Sequence, residues 1–254
     1  MAFDSLKHKA VESEDGSFTA YSVAFDEHYH STKDGALHES LYKHVLPALE
    51  HTKERDEITI LDICFGLGFN TLATLHALKE SGKKITIYSP EFDEELVRSL
   101  VHFTYPKDFE PFKEIIASLS KTQKYESEKI NIYIYLGDAR KFVSDTNIKF
   151  DVVYQDAFSP KSNPLLWTRE YFKDIADLMK MDALLTTYST ALATRIGLYE
   201  NALQVYLNRG EGFRDSTLAS KGFLKNYEKV DVEHKMSCNP EQSSFSDKDS
   251  LKRQ

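Results

Sequence analysis

In LDICFGLGFNTLATL (Leu61–Leu75), an apolar run ends in an acid, Asp62, and a segment with two glycines, Gly66 and Gly68, leads into a helical pattern. A strand, a glycine turn and a helix in that order form a unit that many proteins use to hold a nucleotide. The glycines let the backbone approach a ligand closely, and the N-terminus of the following helix favours polar or anionic groups. The spacing is not the dinucleotide fingerprint, which needs G-x-G-x-x-G. A purely structural turn fits so short a motif equally well.

Outward from this stretch the chain alternates. A helix is expected from Asn70 to Ser81, with Gly82 as its stop. Strands are expected at KITIYSP, INIYIYLGDA, FDVVYQDAF and ALLTTYS. Between them lie helical patterns at EELVRSLVHF, FEPFKEIIASLS, from about Ala139, and at TREYFKDIADLM; ALATRIGLYENALQVY reads as one final helix. Strands alternating with helices imply a mostly parallel sheet covered on both faces. Before the first core strand, ITILDIC, SFTAYSVAFDEHYHS alternates apolar and polar residues as a hairpin does. GALHESLYKHVLPALE reads as a helix with Leu37, Leu41, Val45 and Leu49 on one face. The expected division is an N-terminal extension over 1–50, an α/β domain over 51–237 and a polar, disordered tail over 238–254.

The totals agree with a globular α/β chain. It has 254 residues, 41% hydrophobic and 28% charged. No run of 18 apolar residues exists and MAFDSLKHKAVESEDG has no signal-peptide core, so no membrane span or secretion is expected. Two cysteines, Cys64 and Cys238, lie far apart without metal-ligand spacing, which suits a reducing cytoplasm. A net charge of −8 does not suggest whole-surface binding to nucleic acid, although a local basic patch would suffice. His28, His30 and His38 are close in sequence but show no fourth-ligand geometry, so no metal is expected.

In open parallel sheets, ligands sit outside the carboxyl ends of the strands. Four strand ends here carry useful residues. The glycine loop is the first. Glu91 follows the second strand, where a carboxylate accepts both hydroxyl hydrogens of a ribose; a solvated surface acid among Asp93, Glu94 and Glu95 is the plain alternative. Asp138 follows the third, as an acceptor for an exocyclic amine, as a helix N-cap, or as both. The fourth, YQDAFSPKSNPLLW, is the most specific. Asp156 sits at the strand end, where a bound ligand would lie. Pro160 and Pro164 fix the loop, Phe158 and Trp167 offer flat faces for a base, and Asn163 offers a donor and an acceptor. A rigid loop with its aromatics packed inward is the alternative.

The glycine loop is similar to acid-x-G-x-G-x-G, the signature of class I S-adenosylmethionine methyltransferases, with Asp62 as the acid and Cys64 in the first glycine place. The chain as a whole resembles the methyltransferase part of the tRNA 5-methylaminomethyl-2-thiouridine methyltransferases, the MnmC type. The resemblance rests on YHSTKDGALHES, DICFGLGFN, SPEF, GDA, DAFSPKSNPLLW and TYSTALATRIGLYENAL, over about residues 21 to 220. It implies a Rossmann-like class I methyltransferase sheet and S-adenosyl-L-methionine as cofactor. It further implies methylation of the aminomethyl group on a wobble uridine in the tRNA anticodon loop. No second glycine-rich nucleotide loop is present, so a stand-alone methyltransferase without FAD or metal is expected.

By the same resemblance, Gly66 and Gly68 line the methionine moiety and ribose, with Asp62 and Asn70 beside them and Glu39 bordering the cofactor. Glu91 holds the ribose, Asp138 the adenine, and Asp156 is the catalytic acid beside the amine. Phe158, Pro160, Lys161, Asn163 and Trp167 face the substrate. Cys64 fits the glycine place if it keeps φ negative and no ligand atom occupies its side-chain space. Lys161, Arg169, Arg195, Arg209, Arg214, Lys221 and Lys225 are candidate phosphate contacts, each equally well read as surface charge. An aminopropyltransferase of the spermidine-synthase kind shares the sheet and both acids but carries a richer glycine run. A non-catalytic RNA- or cofactor-binding module on the same fold is the rival of a different class.

Overall fold

A computed structural model describes residues 3–251. The chain opens with three antiparallel strands, β1 (His8–Glu12), β2 (Phe18–Ser22) and β3 (Glu27–His28), in a small sheet of their own. A continuous helical segment follows: α1 (Ala36–Ser40), a π-wound turn (Leu41–Val45) and α2 (Leu46–His51). Leu37, Leu41, Val45 and Leu49 pack on the core as their spacing predicts. The same segment also buries Lys43 and His44.

The main sheet has nine strands. They are β4 (Glu57–Ile63), β5 (Lys84–Glu91), β6 (Lys124–Glu126), β7 (Ile130–Leu136), β8 (Phe150–Gln155), β9 (Met179–Thr187), β10 (Gln204–Asn208), β11 (Ser216–Ser220) and β12 (Glu228–Lys229). Their order is β12-β10-β11-β9-β8-β4-β5-β7-β6. The centre, β9-β8-β4-β5-β7, is parallel, and β6, β10, β11 and β12 add antiparallel edges. The helices are α3 (Phe69–Leu78), α4 (Glu94–Ser99), α5 (Lys113–Thr122), α6 (Ala139–Asp145), α7 (Arg169–Leu178), α8 (Leu192–Tyr199), α9 (Val232–Cys238) and α10 (Asp247–Ser250). Two large apolar clusters flank the sheet. One unites α3 and α5 with the N-terminal helical segment; the other unites α6, α7 and α8. The expected α/β architecture is present, with a mixed rather than wholly parallel sheet.

Two expectations need correction. The segment read as one helix from Ala191 to Tyr206 breaks after Tyr199. Ala202 takes φ +58°, and the N–H groups of Ala202 and Leu203 close on the carbonyls of Tyr199 and Leu198. This left-handed stop turns the chain so that Gln204–Asn208 pairs with β11. The tail read as disordered is packed as far as residue 251. Phe245 bridges to Thr168, Arg169 N–H donates to Phe245 O, and Asp247 forms a two-pronged pair with Arg140 at 2.7 Å on each prong. Its composition is polar because its anchors are polar. Residues 252–254 of the tail lie outside the described residues.

Candidate active site

A cavity of about 980 Å³ opens at the carboxyl ends of the central strands. That is the upper end of the range for small-ligand sites. Its floor carries Gly66 after β4, Glu91 at the end of β5, Asp138 after β7 and Asp156 after β8. Its other wall comes from the small N-terminal sheet and the segment behind it, including Phe25, Glu27, Tyr29, His30 and Glu39.

The glycine loop is built by left-handed turns. Gly66 has φ +54° and Gly68, which caps α3, has φ +76°. A Cβ on Gly68 would meet the Phe65 ring at 2.8 Å, so no other residue fits there without displacing it. Cys64 also lies at φ +65°, against the expectation of a negative φ. Its place in the loop demands the glycine conformation, and its thiol lies at the cavity wall, where burial pushes its pKa up.

Glu91 is buried and tied to the loop. Its Oε2 accepts from Gly66 N–H at 2.8 Å and its Oε1 from Asp93 N–H at 2.9 Å. Burial raises its pKa in spite of these amides. Asp93 continues outward to His8 at 3.1 Å, and His8 meets the Tyr29 hydroxyl at 3.2 Å. This chain fastens the N-terminal sheet to the end of β5. A second fastening joins Glu27 to the loop after β8: its carboxylate accepts from Ser159 N–H at 2.9 Å and from Ser162 Oγ at 3.0 Å. Asp138 caps α6, with Oδ1 accepting from Arg140 and Lys141 N–H groups, while it also lines the cavity. The cap is the role the structure shows for Asp138, and it leaves the residue at the cavity.

Asp156 is held on both oxygens. Oδ2 accepts from Asn70 Nδ2 at 2.8 Å, and Oδ1 faces Nε2 of His44 at 3.4 Å. Burial pushes this carboxyl up, but His44, His30 and Asn70 outweigh it and hold it below the ordinary range. Asp62 lies deeper. It is 1% exposed, accepts from Thr71 Oγ1 at 2.8 Å, and burial pushes its pKa up to about 7. It is a support beneath the loop rather than part of the cavity wall. Glu39 lines the cavity, pairs with the buried Lys43 and accepts from Ser31 N–H at 2.7 Å.

Among the residues expected to face substrate, Phe158 and Asn163 line the cavity. Phe158 stacks on Phe25 with centroids 4.7 Å apart and meets Tyr29 edge-on. Trp167 does not reach the cavity. It is fully buried, its indole N–H donates to Phe158 O at 2.7 Å, and its ring packs on Phe172 and Tyr188. The expected stacking role of Trp167 is thus replaced by a structural one: it props the loop from within. Pro160 and Lys161 stand on the outer side of that loop, away from the cavity lining, with Lys161 exposed.

The basic residues do not form one patch. Of the seven candidates only Arg214 lines the cavity, paired to Asp34 at 3.0 Å. Arg209 pairs with Asp215 and Glu228, Arg169 with Glu170, and Lys221 donates to Met179 O. Arg195 is buried against Thr217. His28 meets Tyr21 edge-on, His38 lies tilted against Tyr42, and the half-buried His30 packs on Phe69, where desolvation lowers its pKa. Among the described residues no group of three or more His, Cys, Asp or Glu side chains is placed to hold a metal. Nor is any described helix long and apolar enough to cross a membrane. Sequence reasoning missed His44, whose partners Asp156 and Thr186 are 112 and 142 positions away.

Comparison with known proteins bears on this geometry. A family model described as S-adenosyl-L-methionine-dependent methyltransferase matches residues 109–222. The crystal structure of MnmC2 from Aquifex aeolicus superposes with a TM-score of 0.81 at 30% identity, covering 97% of this chain and 81% of that one. An uncharacterised protein of Methanocaldococcus jannaschii is 35% identical over 198 residues, 76% of this chain and 54% of its own length. The tRNA 5-methylaminomethyl-2-thiouridine biosynthesis bifunctional protein MnmC of Ralstonia nicotianae is 29% identical over 226 residues, 80% of this chain and 33% of that protein. The chain thus spans about half the length of the first curated relative and a third of the second. With near-complete structural overlap on MnmC2 and acids at the ends of β5, β7 and β8, the chain belongs to the MnmC-type S-adenosyl-L-methionine-dependent methyltransferases.

Proposed function

We propose that this chain transfers a methyl group from S-adenosyl-L-methionine to the aminomethyl group of a wobble uridine in the anticodon loop of tRNA, in the cytoplasm. The observation that carries the reading is the fixed Asp156 carboxylate, facing a cavity whose other strand ends suit an adenosine.

The cavity fits the cofactor. Gly66 leaves backbone without a side chain at the cavity, while Gly68, which is not in its lining, makes room for the Phe65 ring; Glu91 supplies a carboxylate for a ribose, and Asp138 has Oδ2 left over from its capping role. Glu39 and Asn70 border the same space or the acid within it. S-adenosyl-L-methionine supplies a methyl group on a positively charged sulfur, an electrophile that needs no further activation.

The residues then have to present a neutral amine. A primary alkyl ammonium has a pKa near ~10.4, so about one in 10³ is neutral near pH 7.4. A carboxylate with a depressed pKa is a poor base for it but a good acceptor for its N–H. Asp156 therefore orients the amine so that its lone pair faces the methyl carbon, a large contribution in a two-substrate reaction. Phe158, backed by Phe25 and flanked by Asn163, offers the face and the polar edge against which a flipped base would lie. A wobble base sits in a loop, so the flipping cost is small.

The test is transfer of labelled methyl from S-adenosyl-L-methionine to tRNA carrying unmethylated aminomethyl-uridine, with wild type beside Asp156→Asn. Label in methylaminomethyl-uridine with wild type, at a rate about 10²–10⁴ lower with the variant, is expected. Near-normal turnover by the variant would remove Asp156 from its role, and no label with wild type would overturn the substrate.

A further inference from the structure

A histidine with no access to solvent lies behind the reactive carboxylate. His44 is 0% exposed, on the π-wound turn between α1 and α2. Its Nδ1 meets Thr186 Oγ1 in β9 at 2.8 Å, and its Nε2 stands 3.4 Å from Asp156 Oδ1. Nε2 has no hydrogen-bond partner of good geometry, so the carboxylate is the one polar group it faces at short range. Burying an imidazole without use for both nitrogens is unfavourable, and an apolar side chain would fill the same space at less cost. The π winding is itself a feature often found at functional sites.

We propose that His44 is a positioning residue for methyl transfer: held by Thr186, it fixes the orientation of the Asp156 carboxylate toward the amine. The inference rests on the function proposed above. Asn70 from α3 holds Oδ2, so the carboxylate is clamped between α3 and the π turn. With the Thr186 hydroxyl as donor to Nδ1, the nitrogen that carries hydrogen is Nε2, the one that faces Asp156. Asp156 remains 17% exposed on the cavity side, which is the edge the amine needs. Clamping matters because an error near 1 Å in a reacting group costs about 10²-fold in rate.

Other groups also bear on Asp156. His30 stands near it as a second imidazole, with the Lys43–Glu39 pair behind. Asp62, Cys64 and Tyr188 face it from β4, the glycine loop and the end of β9. None of these is substituted in the His44 variants, so the comparison of Asn with Gln at that position reports His44.

The experiment compares wild type, His44→Asn, His44→Gln and Thr186→Val in single-turnover methyl transfer at saturating S-adenosyl-L-methionine from about pH 3 to pH 9, with each rate divided by the neutral fraction of the amine. Cofactor affinity and thermal unfolding are measured for each. His44→Asn is expected to slow transfer by about 10- to 100-fold with cofactor affinity nearly unchanged, and to move the acid limb of the rate to higher pH. Glutamine places an amide nitrogen near the former Nε2, so His44→Gln should recover most of the rate. Thr186→Val should show the same shift in smaller degree, and it carries the test if His44→Asn does not fold. An unchanged acid limb in His44→Asn, or a Gln variant as slow as Asn, overturns the proposal. A carbon-13 titration of the Asp156 carboxyl in the same variants needs no RNA. If wild type methylates no tRNA, the functional reading fails. The titration then still decides: a shift to higher pH in His44→Asn upholds the His44–Asp156 coupling, and no shift overturns it.

Discussion

Gly66 donates its backbone N–H to Glu91 Oε2 at 2.8 Å, which locks the loop after β4 to the acid after β5. One carboxylate thus shapes the loop and remains available on its other lone pairs for a ribose. Glu91→Gln is expected to weaken S-adenosylhomocysteine binding by about 10- to 100-fold, roughly 1.4–3 kcal/mol, because a charge-assisted acceptor becomes a neutral one. Titration calorimetry on the variant checks this. Wild-type affinity would mean that Glu91 only braces the loop.

Asp62 should make the ligand-free protein less stable as pH rises. Its folded pKa is pushed up to about 7 by burial, from an ordinary value of 3.8. The folded state therefore holds this proton more tightly than the unfolded state. The stabilisation is full below about pH 4 and is lost as pH rises through 7, amounting to as much as ~4 kcal/mol. Asp62→Asn does not titrate. Urea unfolding of both proteins at pH 5 and pH 8 should show wild type losing ground to the variant at the higher pH. A gap that stays constant would refute the buried, protonated Asp62.

Cys64→Gly should stabilise the fold. A left-handed L-residue costs roughly 1–2 kcal/mol, while glycine adds about 0.5–1 kcal/mol of unfolded-state freedom. The net gain is about 0.5–1 kcal/mol, a rise of about 1–4 °C in Tm for a domain of this size. Differential scanning calorimetry measures it. A lower Tm would show that the thiol's packing outweighs the backbone strain.

Asp247→Ala should release the last helix without disturbing the sheet. Asp247 takes both prongs of Arg140 and the Thr168 hydroxyl at 2.6 Å. The pair is partly exposed, so the loss is about 1 kcal/mol. Hydrogen exchange should quicken over residues 244–251 and stay unchanged in β4 and β8. Unchanged protection at 244–251 would mean the Phe245 bridge alone holds the segment.

The parts of the molecule that were legible are those whose signal is local. FDVVYQ is buried along its whole length and ITILDI nearly so, while KITIYSP and INIYIYL alternate buried with half-buried residues, and both patterns read as strands. The acids Glu91, Asp138 and Asp156 meet at one cavity, as their positions in the sequence imply, because strand ends are fixed points of such a sheet. What escaped depends on distant partners. The helical spacing of ALATRIGLYENALQVY hid the left-handed Ala202, and STLAS becomes β11 only through β9 and β10. A tryptophan in a loop does not announce which way its ring turns, and Trp167 turns inward. His44 has no periodic or motif signal. Its meaning comes from Asp156, reached only after the fold has closed.

The two walls of the cavity belong to sheets that share no strand. One side is formed by the ends of the central strands, and the opposite side by residues between Lys7 and Thr32. The two are tied together by the His8–Asp93 and Glu27–Ser159 contacts. Phe25 touches Phe158 and is in neither tie, so a change there alters the space around Phe158 while Gly66 and Glu91 keep their bond. On the function proposed above, variation at that position tunes which acceptor is taken and spares the donor.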